Sequence, residues 1–253
     1  MTTTFESGGA KAGVGASIRA AILDLDGTLV HTLGDFVEAL QRMLRDLPAP
    51  YTHFSISAAS IEPLVGKGSE NLIKSLLAQI DTAQGAIKNE ADMALFDLAC
   101  ARYLHHYADV NGRFSTVYPG VLEGLVALQA LGWPLACVTN KPTAFAQTLL
   151  RATGLERFFA FTLGGDALPR KKPDPLPLLT ACERLGVPAA QTLMVGDSSN
   201  DAQAARAAGC PVWLMTYGYN HGQSVHAVDA DGFVDRLVDL PWLTSPDSRA
   251  RAN

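Results

Sequence analysis

Two aspartates in a short segment near the start of the sequence could carry out phosphoryl chemistry. Asp24 and Asp26 are two residues apart in the segment Asp24-Leu25-Asp26-Gly27-Thr28. Alternate side chains of an extended chain lie on the same side, so both carboxylates can face one reactant. One can attack phosphorus while the other transfers a proton, and a divalent cation bound by oxygens would reduce the repulsion from the phosphate. Taken alone, the segment is equally consistent with an ordinary turn.

Two further segments contain groups that can bind a phosphate. Thr139 and Asn140 follow an apolar run and offer a hydroxyl and an amide as donors, although the same loop is equally suited to capping a helix. Lys171 and Lys172 precede Pro173, where a lysine could pair with both the nucleophile and the transferred phosphoryl group. A solvated basic loop is the alternative interpretation of these lysines.

A fourth segment, 196–201, contains two more carboxylates. Asp197 and Asp201 come directly after an apolar run that ends at Val195. Carboxylates at the end of a buried strand are unfavourable unless they pair with a cation or bind a metal ion. Together, the four segments predict a site for phosphoryl transfer with a bound cation.

The pattern of apolar residues predicts how these segments come together. We predict strands at 18–23, 134–139, 159–163, 192–195 and 212–215, and helices at 121–131, 143–153, 175–185 and 201–208. This alternation is typical of an α/β fold with a doubly wound parallel sheet. Ligands of such sheets bind outside the carboxyl ends of the strands, so the loops after Leu23, Val138, Leu163 and Val195 should converge.

Residues 33–115 show a different pattern. Apolar residues recur at helical spacing at 33–47, 72–80 and 93–107, with no convincing strand between these stretches. We therefore predict a helical cap at 33–115, inserted into a doubly wound α/β core made of residues 18–32 and 116–245. Residues 1–17 are rich in small and polar residues and are predicted to be a flexible tail without a secretory signal or membrane anchor.

The composition argues against several classes of function. The formal net charge of −5 gives no general attraction to nucleic acid or to an anionic membrane. The 4 cysteines are far apart and are predicted to be reduced core residues rather than zinc ligands. No apolar run is long enough for a membrane helix. We expect a cytoplasmic monomer or homodimer that acts on a small phosphorylated metabolite.

Four motifs in this order resemble those of the haloacid dehalogenase superfamily. They are Asp24–Val30, Thr139–Asn140, Lys172–Pro175 and Gly196–Asp201. The resemblance implies a Rossmann-like core with a helical cap inserted after the first motif. It also implies that Asp24 is the nucleophile and that Asp26 is the general acid and base. It further implies Mg²⁺ bound by the Asp24 carboxylate, the Asp26 backbone carbonyl and Asp197, with Thr139 and Lys172 contacting the phosphate.

The same resemblance suggests roles for other residues of these motifs. Asp201 is expected to support the site by holding a metal-bound water or Lys172. We prefer Lys172 to Lys171 as the phosphate-binding lysine because the superfamily's lysine directly precedes a proline. Thr28 and Asn140 are expected to contact the substrate.

A narrower similarity is to the phosphoglycolate phosphatases. It is carried by segments 64–68, 164–166 and 214–220, of which Tyr217-Gly218-Tyr219 is the most specific. This resemblance implies 2-phosphoglycolate as the substrate. Lys67 could then contact the substrate carboxylate from the cap, although a solvent-exposed lysine is the default interpretation. His31 replaces an aspartate found in many relatives and is best interpreted as a hinge or surface residue.

Other activities remain as alternatives. Dehalogenases of the superfamily lack the second aspartate, so Asp26 favours a phosphatase over a dehalogenase. A sugar-phosphate phosphatase or a phosphomutase would use the same four motifs. A binding protein without catalytic activity is disfavoured, because such a protein is expected to have lost at least one motif.

Overall fold

The computed structural model describes residues 18–85 and 93–244, and within these residues the chain forms strands and helices that alternate after residue 116. The strands are β1 (Ala20–Leu23), β2 (Val30–His31), β3 (Thr116–Val117), β4 (Leu135–Val138), β5 (Phe161–Leu163), β6 (Thr192–Gly196), β7 (Val212–Met215) and β8 (Gly232–Val234). The helices are α1 (Leu33–Asp46), α2 (Ala58–Ile61), α3 (Ser69–Ala83), α4 (Met93–Val110), α5 (Val121–Ala130), α6 (Thr143–Ala152), α7 (Leu176–Leu185), α8 (Ser199–Ala208) and α9 (Pro241–Thr244).

A parallel sheet of six strands forms the centre of the molecule, in the order β5-β4-β1-β6-β7-β8. Leu23 at the end of β1 pairs with Cys137 of β4 on one side and with Val195 of β6 on the other. The carboxyl ends of these three strands therefore lie at one edge of the sheet. The predicted α/β class with a doubly wound parallel sheet is confirmed.

Helices cover both faces of the sheet. One apolar core contains residues of α5 and α6, and a second contains residues of α7 and α8. Ile22 and Leu23 of β1 belong to opposite cores, because successive side chains of a strand alternate between its faces. The strand is buried along its whole length, which explains why its sequence is a continuous apolar run.

The four helices α1 to α4 form a cap with an apolar core of its own. The chain enters the cap through β2 and leaves it through β3, and these strands pair antiparallel. The pairing was not predicted, because two residues are too few to show alternation. The His31 ring in this hinge packs edge-on against the rings of Tyr118 and Tyr219, with centroids 5.6 Å and 6.0 Å apart.

The remaining sequence predictions have mixed outcomes. Strand β8 at the edge of the sheet was not predicted. The proposed division into a core (18–32 and 116–245) and a cap (33–115) stays a prediction, and the predicted tail at 1–17 lies outside the described residues. Within residues 18–85 and 93–244, no helix has both the length and the apolar character of a transmembrane span.

Asp35 connects the first cap helix to the chain that leaves the cap. Its carboxylate is buried and accepts hydrogen bonds from the backbone N–H of Gly112 at 2.6 Å and of Phe114 at 2.7 Å. The hydroxyl of Ser115 donates to the same carboxylate. These bonds fix the return of the chain towards β3, next to the point where it entered the cap.

Replacing Asp35 should therefore destabilise the fold. We expect Asp35→Ala to lower the free energy of unfolding by about 2–4 kcal/mol, because it leaves backbone donors without an acceptor. Asp109→Ala is the matched control, because Asp109 is half exposed and its ion pairs with Arg42 and Arg113 should contribute only about 0–1 kcal/mol. Urea denaturation of both variants checks this, and equal losses would contradict the role of Asp35.

Candidate active site

Lys172 joins the carboxylates at the carboxyl edge of the sheet. Its Nζ lies 3.0 Å from Asp24 Oδ1 and 2.7 Å from Asp201 Oδ1, and it donates to the Val138 carbonyl at 2.8 Å. These three contacts match the three N–H donors of the ammonium group. Lys172 is only 2% exposed, so the structure holds this charge in one position next to Asp24.

Burial changes the acidity of both partners in this ion pair. Removal from water raises the pKa of Asp24 to about 7, with Lys172 opposing the rise and Asp201 adding to it. Burial would lower the pKa of Lys172, but the charges of Asp201 and Asp24 outweigh burial, and the net shift is upward. Lys172 therefore stays charged at neutral pH, whereas Asp24 is close to its titration point.

Asp201 forms a hydrogen bond with Lys172 and caps the start of helix α8. Its Oδ2 accepts hydrogen bonds from the backbone N–H groups of Asp197 and Ser198 at 3.2 Å and 3.1 Å, and from the Ser198 hydroxyl at 2.8 Å. Its Oδ1 accepts from Lys172. The carboxylate is fully buried and accepts four hydrogen bonds, one of them from an ammonium, so it is better placed to orient its neighbours than to bind a further ligand.

Asp197 follows β6 and is also buried. Its Oδ1 accepts a hydrogen bond from the Thr28 hydroxyl at 2.7 Å, and its Oδ2 accepts from the backbone N–H of Tyr219 at 2.6 Å. Burial raises the pKa of Asp197 well above its usual range, and the nearby charges of Asp201 and Asp24 raise it further. A positive ligand at this site would relieve the unfavourable burial of the charged form.

The acidic groups at this edge fit a hard cation. Oxygen atoms of Asp24, Asp197 and Asp201 lie within 4.8 Å of one another. The described contacts to the Asp24 carboxylate, from Leu25 N–H and Lys172, both reach Oδ1, which leaves Oδ2 for another ligand. Asp24 and Asp201 share the Lys172 ammonium, whereas Asp197 accepts hydrogen bonds from neutral donors, so a cation bound by oxygens would balance the remaining negative charge.

Asp26, the second carboxylate of the first motif, forms an ion pair with a different lysine, Lys141. Lys141 Nζ lies 2.9 Å from Asp26 Oδ1 and also donates to the hydroxyl of Tyr107 in the cap. The Lys141 ammonium is 4.9 Å from the centre of the Phe36 ring and 4.8 Å from that of Tyr107. The two aspartates thus lie in different surroundings, each with a separate lysine.

Lys141 was missed in the analysis of the sequence. It directly follows Thr139-Asn140 at the carboxyl end of β4, and this position was the available signal. Its backbone N–H donates to Thr139 Oγ1 at 3.2 Å, and its side chain is 3% exposed. A lysine this buried needs a partner, but Asp26 is 115 positions away in the sequence, and only the fold shows the pairing.

The residues predicted to contact the substrate occupy different positions. The Asn140 amide donates to the backbone carbonyls of Gly66 and Lys172 at 3.1 Å and 2.9 Å. The hydroxyl of Thr28 is bonded to Asp197. Lys67 is exposed and does not line the cavity next to Asp24. The assignment of these three residues to substrate binding stays a prediction.

A loop of the cap is hydrogen-bonded to the core at Gly66. Its carbonyl accepts hydrogen bonds from the side-chain amides of Asn140 and Asn200, each at 3.1 Å. The Asn200 amide also contacts the ring of His221 at 3.2 Å. Gly66 has a φ of +108°, and a Cβ at this position would lie 2.9 Å from His221 Cε1, so a side chain here would strain the backbone and displace the His221 ring.

Docking of this loop encloses a cavity next to the two aspartates. The core contributes Asp24, Asp26 and Thr139 to its lining, and the cap contributes Phe36 and Tyr103. The cavity therefore has reactive carboxylates at its base and apolar walls above them. Such a site can exclude water from a small reactant that enters between cap and core.

Comparison with known proteins identifies relatives over most of the chain. Residues 18–209 match the haloacid dehalogenase-like hydrolase family. A phosphoglycolate phosphatase of Thiobacillus denitrificans is 44% identical over 228 residues, which cover 90% of this chain and 96% of the relative. A protein of Cupriavidus necator named "Phosphoglycolate phosphatase, plasmid" is 46% identical over 233 residues, covering 92% and 96%.

A solved structure shares both the core and the cap. The crystal structure of a predicted phosphoglycolate phosphatase from Haemophilus somnus has a TM-score of 0.82 and 33% identity. The match covers 91% of this chain and all of that one. The inserted cap is therefore an element of a known architecture.

The buried contacts of Asp201 lead to a prediction for stability. We expect Asp201→Ala to lower the free energy of unfolding by about 3–5 kcal/mol, because Lys172 loses a buried partner and two backbone donors lose their acceptor. Asp229→Ala is the matched control, since Asp229 is 86% exposed and its ion pair with Arg206 should contribute about 0–1 kcal/mol. Urea denaturation measures both, and a loss at Asp201 as small as that at Asp229 would contradict the role of the buried cluster.

Proposed function

This chain belongs to the haloacid dehalogenase-like hydrolases, and from this premise we propose that it is a Mg²⁺-dependent phosphatase that hydrolyses 2-phosphoglycolate through a phosphorylated Asp24. The resemblance first noted in four sequence motifs is thereby confirmed at the level of the family. The family match and the phosphoglycolate phosphatase relatives indicate that the chain is a phosphoric monoester hydrolase. What we propose beyond the family is the substrate 2-phosphoglycolate, the requirement for Mg²⁺ and the aspartyl-phosphate intermediate.

The contact between Asp24 and Lys172 is the observation that carries the proposed mechanism. A carboxylate attacks phosphorus only when it is ionised, and the neighbouring ammonium at 3.0 Å favours that state. Because its position is fixed by Asp201 and Val138, Lys172 can also stabilise negative charge on the transferred phosphoryl group. Asp24 is thus suited to be the nucleophile.

The metal site is proposed on the chemistry of the available oxygens. Asp24, Asp197 and the backbone carbonyl of Asp26 would hold the cation. Bound Mg²⁺ would favour the ionised form of Asp24 and shield it from the negative charge of the phosphate. Asp201 would support the site indirectly, because its oxygens accept four hydrogen bonds, one of them from the Lys172 ammonium, whereas each oxygen of Asp197 accepts one from a neutral donor.

Asp26 is the proposed acid and base. In the first step, a bond forms between Asp24 and phosphorus while the bond from phosphorus to the ester oxygen breaks, and a proton from Asp26 goes to the departing alcohol. In the second step, Asp26 takes a proton from water as the water oxygen attacks phosphorus. The bond to Asp24 then breaks, and inorganic phosphate and free Asp24 result.

The proposal of 2-phosphoglycolate rests on the relatives. Two phosphoglycolate phosphatases align with this chain over nearly their full length. The cavity agrees with a small reactant, since cap residues such as Phe36 and Tyr103 lie close above the aspartates.

A phosphate-release assay tests the substrate and the nucleophile together. With Mg²⁺ present, we expect kcat/KM for 2-phosphoglycolate to exceed the values for hexose phosphates, nucleotides and an aryl phosphate. Asp24→Asn should lower kcat by a factor of about 10³ or more, because the amide is a poor nucleophile. Asp229→Asn, at an exposed site, is the control and should retain activity. Faster hydrolysis of another ester would refute the named substrate, and full activity of Asp24→Asn would refute the mechanism.

Metal binding should change stability with pH. The pKa of Asp24 is raised to about 7 and that of Asp197 is also raised, so between pH 4 and 7 the folded protein keeps protons that the unfolded chain loses. The metal-free protein should therefore lose stability as the pH rises through this range. Mg²⁺ at about a hundredfold excess over its Kd should raise the Tm at pH 7.5 by roughly 5–10 °C.

The same experiment at pH 5 provides the contrast. Protons compete with the cation for the carboxylates there, so the gain in Tm should be much smaller. Asp197→Asn should remove most of the gain at pH 7.5, and EDTA should reverse it in the wild type. An equal Mg²⁺ effect at both pH values, or in the Asp197→Asn variant, would contradict the proposed site. Thermal unfolding with and without Mg²⁺ is the measurement.

A further inference from the structure

We propose that Lys141 binds the carboxylate of the substrate and thereby selects phosphate esters of short hydroxy acids. This inference rests on the proposed phosphatase activity and adds a residue that recognises the leaving group. In this proposal a lysine of the core binds the substrate carboxylate, a role that the sequence analysis considered for Lys67 of the cap.

The surroundings of Lys141 leave room for one more negative partner. Of the three donors of its ammonium, one is directed to Asp26 and one to the hydroxyl of Tyr107. The side chain is 3% exposed and lies against the faces of the Phe36 and Tyr107 rings, so the charge cannot be directed freely into water. An anion in the cavity could bind the third donor.

Tyr107 can assist such binding. Burial raises the pKa of its phenol well above the usual range, and the charge of Asp26 adds to the shift. The hydroxyl therefore keeps its proton at neutral pH while it accepts a hydrogen bond from Lys141. It can donate that proton to a carboxylate oxygen next to the ammonium.

Other cations close to the site are less suitable. The three donors of Lys172 are matched by Asp24, Asp201 and the Val138 carbonyl. Lys67 and Lys171 are both exposed and lie outside the cavity lining, although the Lys171 ammonium lies next to Gly68, which belongs to that lining. Among the described residues that line the cavity, Lys141 is the one with a positive side chain.

The covalent structure of the substrate places its carboxylate near Lys141. In 2-phosphoglycolate a single CH₂ separates the ester oxygen from the carboxylate, so the carboxylate oxygens lie about 2.6–3.6 Å from the ester oxygen. The ester oxygen must come within about 3 Å of Asp26 to receive a proton. Since Lys141 Nζ is 2.9 Å from Asp26 Oδ1, it is within reach of a carboxylate held in that pose.

This arrangement would produce selectivity through the leaving group. An ester of the same size without a carboxylate would leave the third Lys141 donor unpaired in an apolar cavity, which is unfavourable. An ester with its carboxylate several carbons away would not bring the charge to Lys141 while the ester oxygen is at Asp26. Lys141 is therefore a specificity-determining residue in this proposal.

The test compares two esters that differ in the carboxylate. We would measure kcat and KM for 2-phosphoglycolate and for ethyl phosphate in the wild type, Lys141→Met and Lys141→Arg. Lys67→Met tests the competing lysine of the cap, and Lys74→Met, at an exposed position of α3, is the matched control. In Lys141→Met, the KM for 2-phosphoglycolate should rise by about tenfold to a hundredfold, as expected for a lost charged hydrogen bond. In the same variant, the KM for ethyl phosphate should change by less than about threefold. Lys141→Arg should recover part of the selectivity, and neither Lys74→Met nor Lys67→Met should change it.

The change in kcat distinguishes recognition of the substrate carboxylate by Lys141 from positioning of Asp26 by Lys141. Loss of the Lys141–Asp26 pair should lower kcat for both esters by a similar factor, whereas the rise in KM should be confined to 2-phosphoglycolate. If KM and kcat change by the same factors for both esters, Lys141 only positions Asp26 and the proposal is wrong. A selective effect of Lys67→Met would also overturn it.

The wild type distinguishes failure of this inference from failure of the proposed function. If the wild type does not favour 2-phosphoglycolate over ethyl phosphate, the proposed function fails and the role of Lys141 with it. If the wild type is selective and Lys141→Met keeps that selectivity, only the inference fails. Thermal unfolding shows whether Lys141→Met is folded, and Lys141→Gln replaces it in the comparison if it is not.

Discussion

The ammonium of Lys172 lies among carboxylates that follow two neighbouring strands, and all three of its donors are used on Asp24, Asp201 and the Val138 carbonyl. This buried contact depends on the parallel register, since Leu23 and Val195 are paired directly before the two acidic segments. One ammonium cannot balance every carboxylate at this edge. The remaining negative charge is the physical reason why the site suits a cation.

A second lysine gives the two aspartates of the first motif different properties. Lys172 is surrounded by acidic groups and backbone, whereas Lys141 pairs with Asp26 under aromatic rings of the cap. A nucleophile needs a charged neighbour in a fixed position, and a proton carrier needs contact with the leaving group. The cap contributes to both by closing over the aspartates through its loop at Gly66, which Asn140 holds to the core.

Much of the core could be predicted from sequence, because buried parallel strands produce continuous apolar runs and the motif residues follow them directly. The family was predicted on the same motifs. The pairing of Asp26 with Lys141 could not be predicted, since it depends on how the loops after β1 and β4 approach each other. The hydrogen bonds of Asn140 to Gly66 and Lys172 also arise from tertiary packing, and no sequence pattern indicates them. Short elements such as β2 and β8 carry too few residues to show a period.

Chemical trapping of the phosphorylated enzyme tests the central claim most directly. Enzyme quenched during turnover of 2-phosphoglycolate would be reduced with borohydride, which converts an aspartyl phosphate to homoserine, and the peptides would be sequenced by mass spectrometry. We expect homoserine at position 24, dependent on substrate and on Mg²⁺. Homoserine at another aspartate, or its absence from position 24 when the quenched enzyme carries covalent phosphate, would contradict the assignment of Asp24 as the nucleophile.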